Sequence, residues 1–396
     1  MKRKLWITWI LILVGIIMVG CSGTEPMGVD AYLAQSSWKA KIGQVEESFW
    51  SQVIKDAENA EVVFIGEVHG DVSRLDLMYS LATTLNKELG YSNILLEGPY
   101  SVSLYINQYL ETGEEKYLES VFECLRGTLW HTEEDFAYFQ QIREYNQTAK
   151  IPLRFVGIDF ERTPTLNFAY IGEMLQKHHV SLNAYEAFME CTKRECSQEE
   201  AEEKLAKLVE ELQRQEVRKA LAEDDGDVQI LAQNINMLVG KDILDIHDYE
   251  FRDGLMYANF KAVKERFEGK WVGSFGNDHT PLKNGKWITI AEQLQTDAKS
   301  PVKGKVLSIR WESETQVRNK SENEKETKEK ITQLLDNGYH LIKLDGNRTP
   351  FQGENSLKFY DLKEDGIKRT SEYAQYILFI QGDTREFTPY GNGKIE

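Results

Sequence analysis

The run Glu61-Val62-Val63-Phe64-Ile65-Gly66-Glu67-Val68-His69-Gly70-Asp71 constrains this chain most. Four consecutive apolar residues, mostly branched or aromatic, predict a buried strand. Gly66 closes the run, and Glu67, His69 and Asp71 follow within five positions. A buried strand that delivers a carboxylate and an imidazole at its carboxyl end is the usual way an α/β fold builds a site. Glu67 and His69 are two apart, so in extended backbone their side chains point the same way. An acceptor beside an ionisable ring is the minimum for a positioned general base or a pair of metal ligands. The structural alternative is a solvated loop at a strand end.

Other segments repeat the address. Leu75, Met78, Leu81, Ala82, Leu85 and Leu89 recur at helical spacing, with Gly90 where a C-cap belongs. The helix leads to a second strand, 93–97, that ends in Glu97. Strand, helix and strand in this span predict a right-handed parallel unit, with Glu67 and Glu97 at neighbouring strand ends. A third strand, 153–159, ends in Asp159, and a fourth, 271–275, runs into Gly276-Asn277-Asp278-His279. His279 therefore has the address of His69. Further strands are expected at 305–309, 340–344 and 376–380, with 311–328 an exposed loop or frayed helix. Residues 165–245 are helical and densely charged. They are expected to form an insertion that caps the carboxyl ends of the strands and supplies the pocket walls. A helix over 251–267 carries Arg252, Asp253 and Asn259. The fold class is α/β, a mostly parallel central sheet flanked by helices.

The amino end stands apart. Lys2, Arg3 and Lys4 precede an apolar run from Leu5 to Val19, then Gly20 and Cys21. This reads as a secretory signal over 1–20. The Met-Val-Gly-Cys end resembles the cleavage box of bacterial lipoproteins. By that resemblance Cys21 becomes the lipidated first residue, 21–40 a tether and 41–396 the folded domain, held on the extracytoplasmic face of a membrane. The net charge of −17 argues against nucleic acid as a partner. Cys191 and Cys196 could close a small loop in an oxidising compartment or stay free, and Cys124 reads as core.

Six segments together resemble the erythromycin esterase-like family. They are Gly66-Glu67-Val68-His69-Gly70, the stretch Trp130 to Glu134, Arg143 to Asn146, Leu153 to Asp159, Arg252-Asp253 with Met256 and Asn259, and Gly276-Asn277-Asp278-His279. The wider superfamily holds ChaN-type haem-binding lipoproteins and Tiki/TraB metalloproteases. The resemblance implies a parallel-sheet core with the Gly-Glu-x-His segment at the catalytic centre. In the esterases a His activates water to open a macrolactone ring, with no metal required. The base falls on His69, its acidic partner on Glu67, the second-strand carboxylate on Glu97 and the second His on His279. Only Val68 separates Glu67 from His69, a spacing closer to the ChaN and Tiki pattern, and Gly276 stands where the esterases carry a further His.

The residues support three chemistries. In a hydrolase acting on a small-molecule ester, His69 is the base, Glu67 or Glu97 fixes its tautomer, and His279 or Arg252 polarises the oxyanion. Arg252 could instead pair with Asp159 structurally. In a metal site, His69, Glu97 and His279 would hold a divalent ion, with Glu67 as a candidate fourth ligand. A haem-binding lipoprotein is the third. His131 and His247 read as structural or surface groups, His178 and His179 as exposed, and Trp130 as packing rather than substrate stacking.

Overall fold

The computed structural model describes residues 26–161, 164–194, 196–238, 248–314, 322–351 and 370–392. Cys21, its preceding apolar stretch and His247 lie outside them. The strands are β1 (Ser37–Ala40), β2 (Val62–Glu67), β3 (Tyr91–Pro99), β4 (Arg154–Asp159), β5 (Lys270–Gly276), β6 (Val306–Ser313), β7 (Gly338–Lys343) and β8 (Tyr376–Gln381). They form one sheet in the order β1-β7-β8-β6-β2-β5-β3-β4. From β8 to β4 every pair is parallel, and only β7 runs against its neighbours. The expected mostly parallel α/β sheet is present.

All six residues of β2 are buried, as an uninterrupted apolar run requires when helices cover both faces of a parallel sheet. Helix α1 (Val29–Ser36) and β1 belong to the stretch expected as a tether. Tyr32 and Leu33 pack with Ile342 and Phe379, and β1 pairs antiparallel with β7. The folded body therefore begins before residue 41. Helix α2 (Ser73–Leu89) buries Leu77, Leu81 and Leu85 and ends at Gly90, whose φ of 72° is the left-handed C-cap conformation. It connects β2 to β3, but these strands are not neighbours: β5 lies between them. Crossover chirality dictates the hand of the unit and leaves room for a third strand.

Helices α3 (Tyr100–Thr112), α4 (Glu115–Leu125) and α5 (Glu133–Asn146) follow β3. The helical insertion expected at 165–245 is there, as α6 (Thr165–Lys177), α7 (Asn183–Lys193), α8 (Gln198–Leu212), α9 (Gln215–Leu221) and α10 (Asp225–Leu238). It packs on α3 and on α11 (Tyr249–Arg266). A disulfide joins Cys191 to Cys196. The stretch after 309 differs from expectation. β6 continues to Ser313 because β8 pairs alongside Ile309 to Ser313, and Trp311 is fully buried. Beyond it, Glu322–Leu334 is a helix. No described helix is long and apolar enough to cross a membrane.

Candidate active site

Four adjacent strands, β2, β5, β3 and β4, end side by side. Register places Glu67 beside Gly276 and Leu96 beside both Ser274 and Gly157. A register shift between Leu96 and Pro99 then carries Glu97 off the ladder. Three acids thus reach one sheet edge, each from its own strand.

Glu67 is buried, and its Oε1 lies 2.7 Å from His69 Nδ1. A carboxylate only accepts, so Nδ1 carries the hydrogen and the lone pair is left on Nε2. That edge of the ring faces Gly276: a Cβ built there would lie 3.4 Å from His69 Nε2 and 3.4 Å from Glu97 Oε2. Glycine between the two strands is what lets imidazole and carboxylate approach over it. Burial alone would lower the His69 pKa, but the Glu67 hydrogen bond and the charges of Glu67 and Glu97 outweigh it and raise it. The ring stays partly exposed, with 38% of its side-chain surface accessible, so it can meet water. Trp130 stands edge-on to it, ring centres 5.0 Å apart. Trp130 is therefore a wall of the site as well as packing.

Glu97 is held by Arg252 Nη2 and the Gly276 N–H, both at 2.5 Å. Burial would raise its pKa, yet His279, Arg252, His69 and the Gly276 N–H bring it down to about 2. It is a carboxylate at any physiological pH. Arg252 also binds Asp159, with Nε 3.1 Å from both oxygens and Nη2 at 2.6 Å. It thus serves the structural role and the site together. His279 is 2% exposed. Its Nδ1 lies 3.0 Å from Asp253 Oδ1, which also accepts the Ile290 N–H, while Asp253 Oδ2 accepts Trp287 Nε1. Its Nε2 lies 3.1 Å from Arg252 Nη1 and 3.6 Å from Glu97. Burial opposes its charging, and Glu97 and Asp253 more than offset that and raise its pKa. A guanidinium has no acceptor, so the Arg252 contact is a hydrogen bond only while Nε2 keeps its lone pair.

Glu67, Glu97 and Trp130 open onto a cavity of about 200 Å³. Its walls come from the face of β3 and from α2 to α5, with none from the described residues of 165–245. The insertion does not shape the pocket as expected. Arg252 and His279 do not line it either. Both contact Glu97, Arg252 through Nη2 and His279 through Nε2 at 3.6 Å. The sequence reading missed Arg74 and Asp135, which do line it. Arg74 Nη2 binds both Asp135 oxygens at 2.6 and 2.7 Å, and its Nε lies 3.5 Å from Glu67. Asp135 is fixed by Thr132, the N-cap of α5, through both its N–H and its carboxylate. The signal was an arginine in the first turn of a helix whose neighbours all face the core.

Among the described residues the ligand atoms of Glu67, His69 and Glu97 lie within 4.8 Å of one another, a set that could hold a divalent ion. His279 is not in that set, since Asp253 and Arg252 take its nitrogens. His131 is buried between Phe122 and Tyr390, in keeping with a structural role. His179 is exposed, whereas His178 is partly buried against Asp224.

The family model for erythromycin esterase matches residues 87–287, just over half of the chain. The matched stretch holds Glu97, Arg252 and His279, and begins after Glu67 and His69. No curated protein sequence matches. A crystal structure of a Bacillus cereus protein superposes with a TM-score of 0.64 at 16% identity, covering 92% of this chain and 98% of that one. A succinoglycan biosynthesis protein gives 0.63 at 15%, covering 91% and 97%. A mutant of the erythromycin esterase EreC in its open conformation gives 0.61 at 12%, covering 91% and 100%. At such identities these likenesses concern the fold.

Proposed function

We propose, from the premise that this chain belongs to the erythromycin esterase family, that it is a hydrolase in which His69 activates water against an ester or lactone. The observation that carries this is the Glu67–His69 pair, in which a buried carboxylate on Nδ1 leaves the Nε2 lone pair free on a partly exposed ring. In the reaction, water adds to the carbonyl carbon and gives a proton to Nε2. The C–O bond then breaks, and the leaving oxygen takes that proton back. Glu67 holds the tautomer and stabilises the imidazolium, which is the way a raised histidine pKa assists a base. Arg74 lines the cavity with its Nε 3.5 Å from Glu67, and its guanidinium is the positive charge of the lining that could favour a developing oxyanion. Arg252 and His279 act one step back, by holding Glu97.

The test is a screen of ester and lactone substrates with His69→Ala as control. The expected result is loss of roughly a hundred- to ten-thousand-fold in kcat/KM, with thermal unfolding unchanged. Equal rates for both proteins would remove the mechanism. The close grouping of Glu67, His69 and Glu97 favours a second reading, a divalent ion that polarises the same carbonyl. Elemental analysis of purified protein, followed by chelation and re-addition of metal, separates the two: the first reading expects activity to survive chelation.

The same reading places the protein on the outer face of a bacterial membrane, anchored by lipid on Cys21. What supports this is the basic and apolar start ending in Gly20-Cys21, together with the disulfide at Cys191–Cys196, a bond typical of oxidising compartments.

A further inference from the structure

The cavity beside the site is small and mostly apolar, and two polar atoms of its lining residues, Arg74 Nε and the Tyr138 hydroxyl, have no hydrogen-bond partner among the described residues. Leu75, Met78, Ile94, Val102, Val121 and Phe139 line its walls. Its volume of about 200 Å³ falls below the roughly 300–1,000 Å³ that holds a drug-sized ligand. A large macrocycle does not enter such a space, but a slender unbranched chain does. Glu97 and Glu67, the carboxylate that holds His69, both line it, so the carbonyl of a chain lying inside belongs at the end beside that pair.

Tyr138 lines this cavity, and its hydroxyl is buried with no hydrogen-bond partner among the described residues. A buried hydroxyl left unpaired costs stability, so its persistence in an apolar chamber calls for a partner that arrives with the ligand. Its place is set by its neighbours. The Arg74–Asp135 pair acts electrostatically on Tyr138, and Arg74 in turn reaches Glu67. The polar end of the cavity is therefore the end next to the reacting carbonyl, and the far end is hydrocarbon.

We propose that this cavity is an acyl pocket for an ester or lactone whose acyl part is an unbranched aliphatic chain, and that Tyr138 recognises an oxygen substituent on one of its first carbons. The substrate class rests on the hydrolase reading above, whereas the pocket itself does not. Tyr138 is a specificity residue: it leaves the reacting bond alone and selects between chains.

The experiment uses the whole protein and two readouts. The first is kcat/KM on p-nitrophenyl esters from acetyl to decanoyl, and on the octanoyl ester against its 3-hydroxyoctanoyl counterpart. The expected result is a rise of about fourfold per added methylene until the pocket is full. It includes a preference for the hydroxylated chain of about two- to tenfold that disappears in Tyr138→Phe. The second readout is calorimetric binding of acetamide, octanamide and 3-hydroxyoctanamide, neutral compounds that keep the carbonyl and need no turnover. If no ester is cleaved but octanamide binds better than acetamide and Tyr138→Phe erases the hydroxyl preference, the pocket stands and the hydrolase reading falls. A flat dependence on chain length in both readouts overturns the pocket. A hydroxyl preference unchanged in Tyr138→Phe, or absent from the wild-type protein, overturns the role of Tyr138. Unfolding midpoints separate a structural role: removal of an unpaired buried hydroxyl leaves Tyr138→Phe at least as stable as wild type, whereas a tyrosine needed for the fold would lower the midpoint.

Discussion

Arg252 joins two buried carboxylates that come from different strands, Glu97 and Asp159. Removing one partner of a buried ion pair leaves uncompensated charge, which costs about 3–5 kcal/mol. Arg252→Met is therefore expected to lose that much in chemical denaturation at pH 7. Arg252→Lys recovers only part of it, because an ammonium cannot fork between two acids. The pH dependence follows from Glu97, whose pKa falls from an ordinary 4.5 to about 2. With the folded value below the unfolded one, the unfolded chain binds more protons in between, so this contribution is complete above about pH 4.5 and fades as pH falls toward 2. In Arg252→Met burial is less opposed, the Glu97 pKa rises, and the acid-dependent loss over that window shrinks. An unchanged acid-unfolding curve in Arg252→Met would show that the pair does not set the charge of Glu97.

Elements, rather than single side chains, place Glu97. The edge of β3 bulges after Leu96, and Gly157 on β4 makes room for it: a Cβ there would meet the Pro99 carbonyl oxygen at 2.1 Å and that of Gly98 at 2.7 Å. Those atoms are backbone and cannot rotate away. Gly157→Ala is expected to cost about 1–3 kcal/mol through overpacking and to lower kcat by moving Glu97, measurable by unfolding and kinetics together. Wild-type kinetics in that variant would place the bulge outside the site. At this scale the sequence was informative in proportion to how local each signal is. The runs Val62 to Ile65, Ile94 to Leu96 and Trp271 to Phe275 announced strands, and the acids after them announced the site edge. Strand order was not legible, because pairing of β5 between β2 and β3 joins residues some two hundred positions apart. β1 was missed because Ser37-Trp38-Lys39-Ala40 has no apolar run and takes its strand conformation from β7. Arg74 and Tyr138 were hidden for a related reason: a polar residue on a helix reads as solvent-facing until the packing around it is known.

At the scale of the whole molecule, a sheet edge gathers His69, Glu67 and the anchored Glu97, while helices α2 to α5 enclose the chamber beside them. The helical insertion lies off to the side, so it can vary without rebuilding the pocket. The lipid anchor proposed at Cys21 is tested by a substitution outside this body. Cys21→Ala is expected to move most of the protein from the membrane fraction to the soluble fraction with the ester hydrolysis of the body retained; retention in the membrane would refute lipid attachment at that residue. The central claim is that Glu67 tunes His69 as a base, and the pH dependence of kcat/KM for wild type and Glu67→Gln tests it most directly. Glutamine can still accept from Nδ1 but carries no charge. Since Glu67 raises the His69 pKa against burial and the base works only when neutral, the acid limb of the wild-type profile should lie above the ordinary histidine range. In Glu67→Gln that limb should shift to lower pH with a reduced plateau. Superimposable profiles for the two proteins would contradict the account.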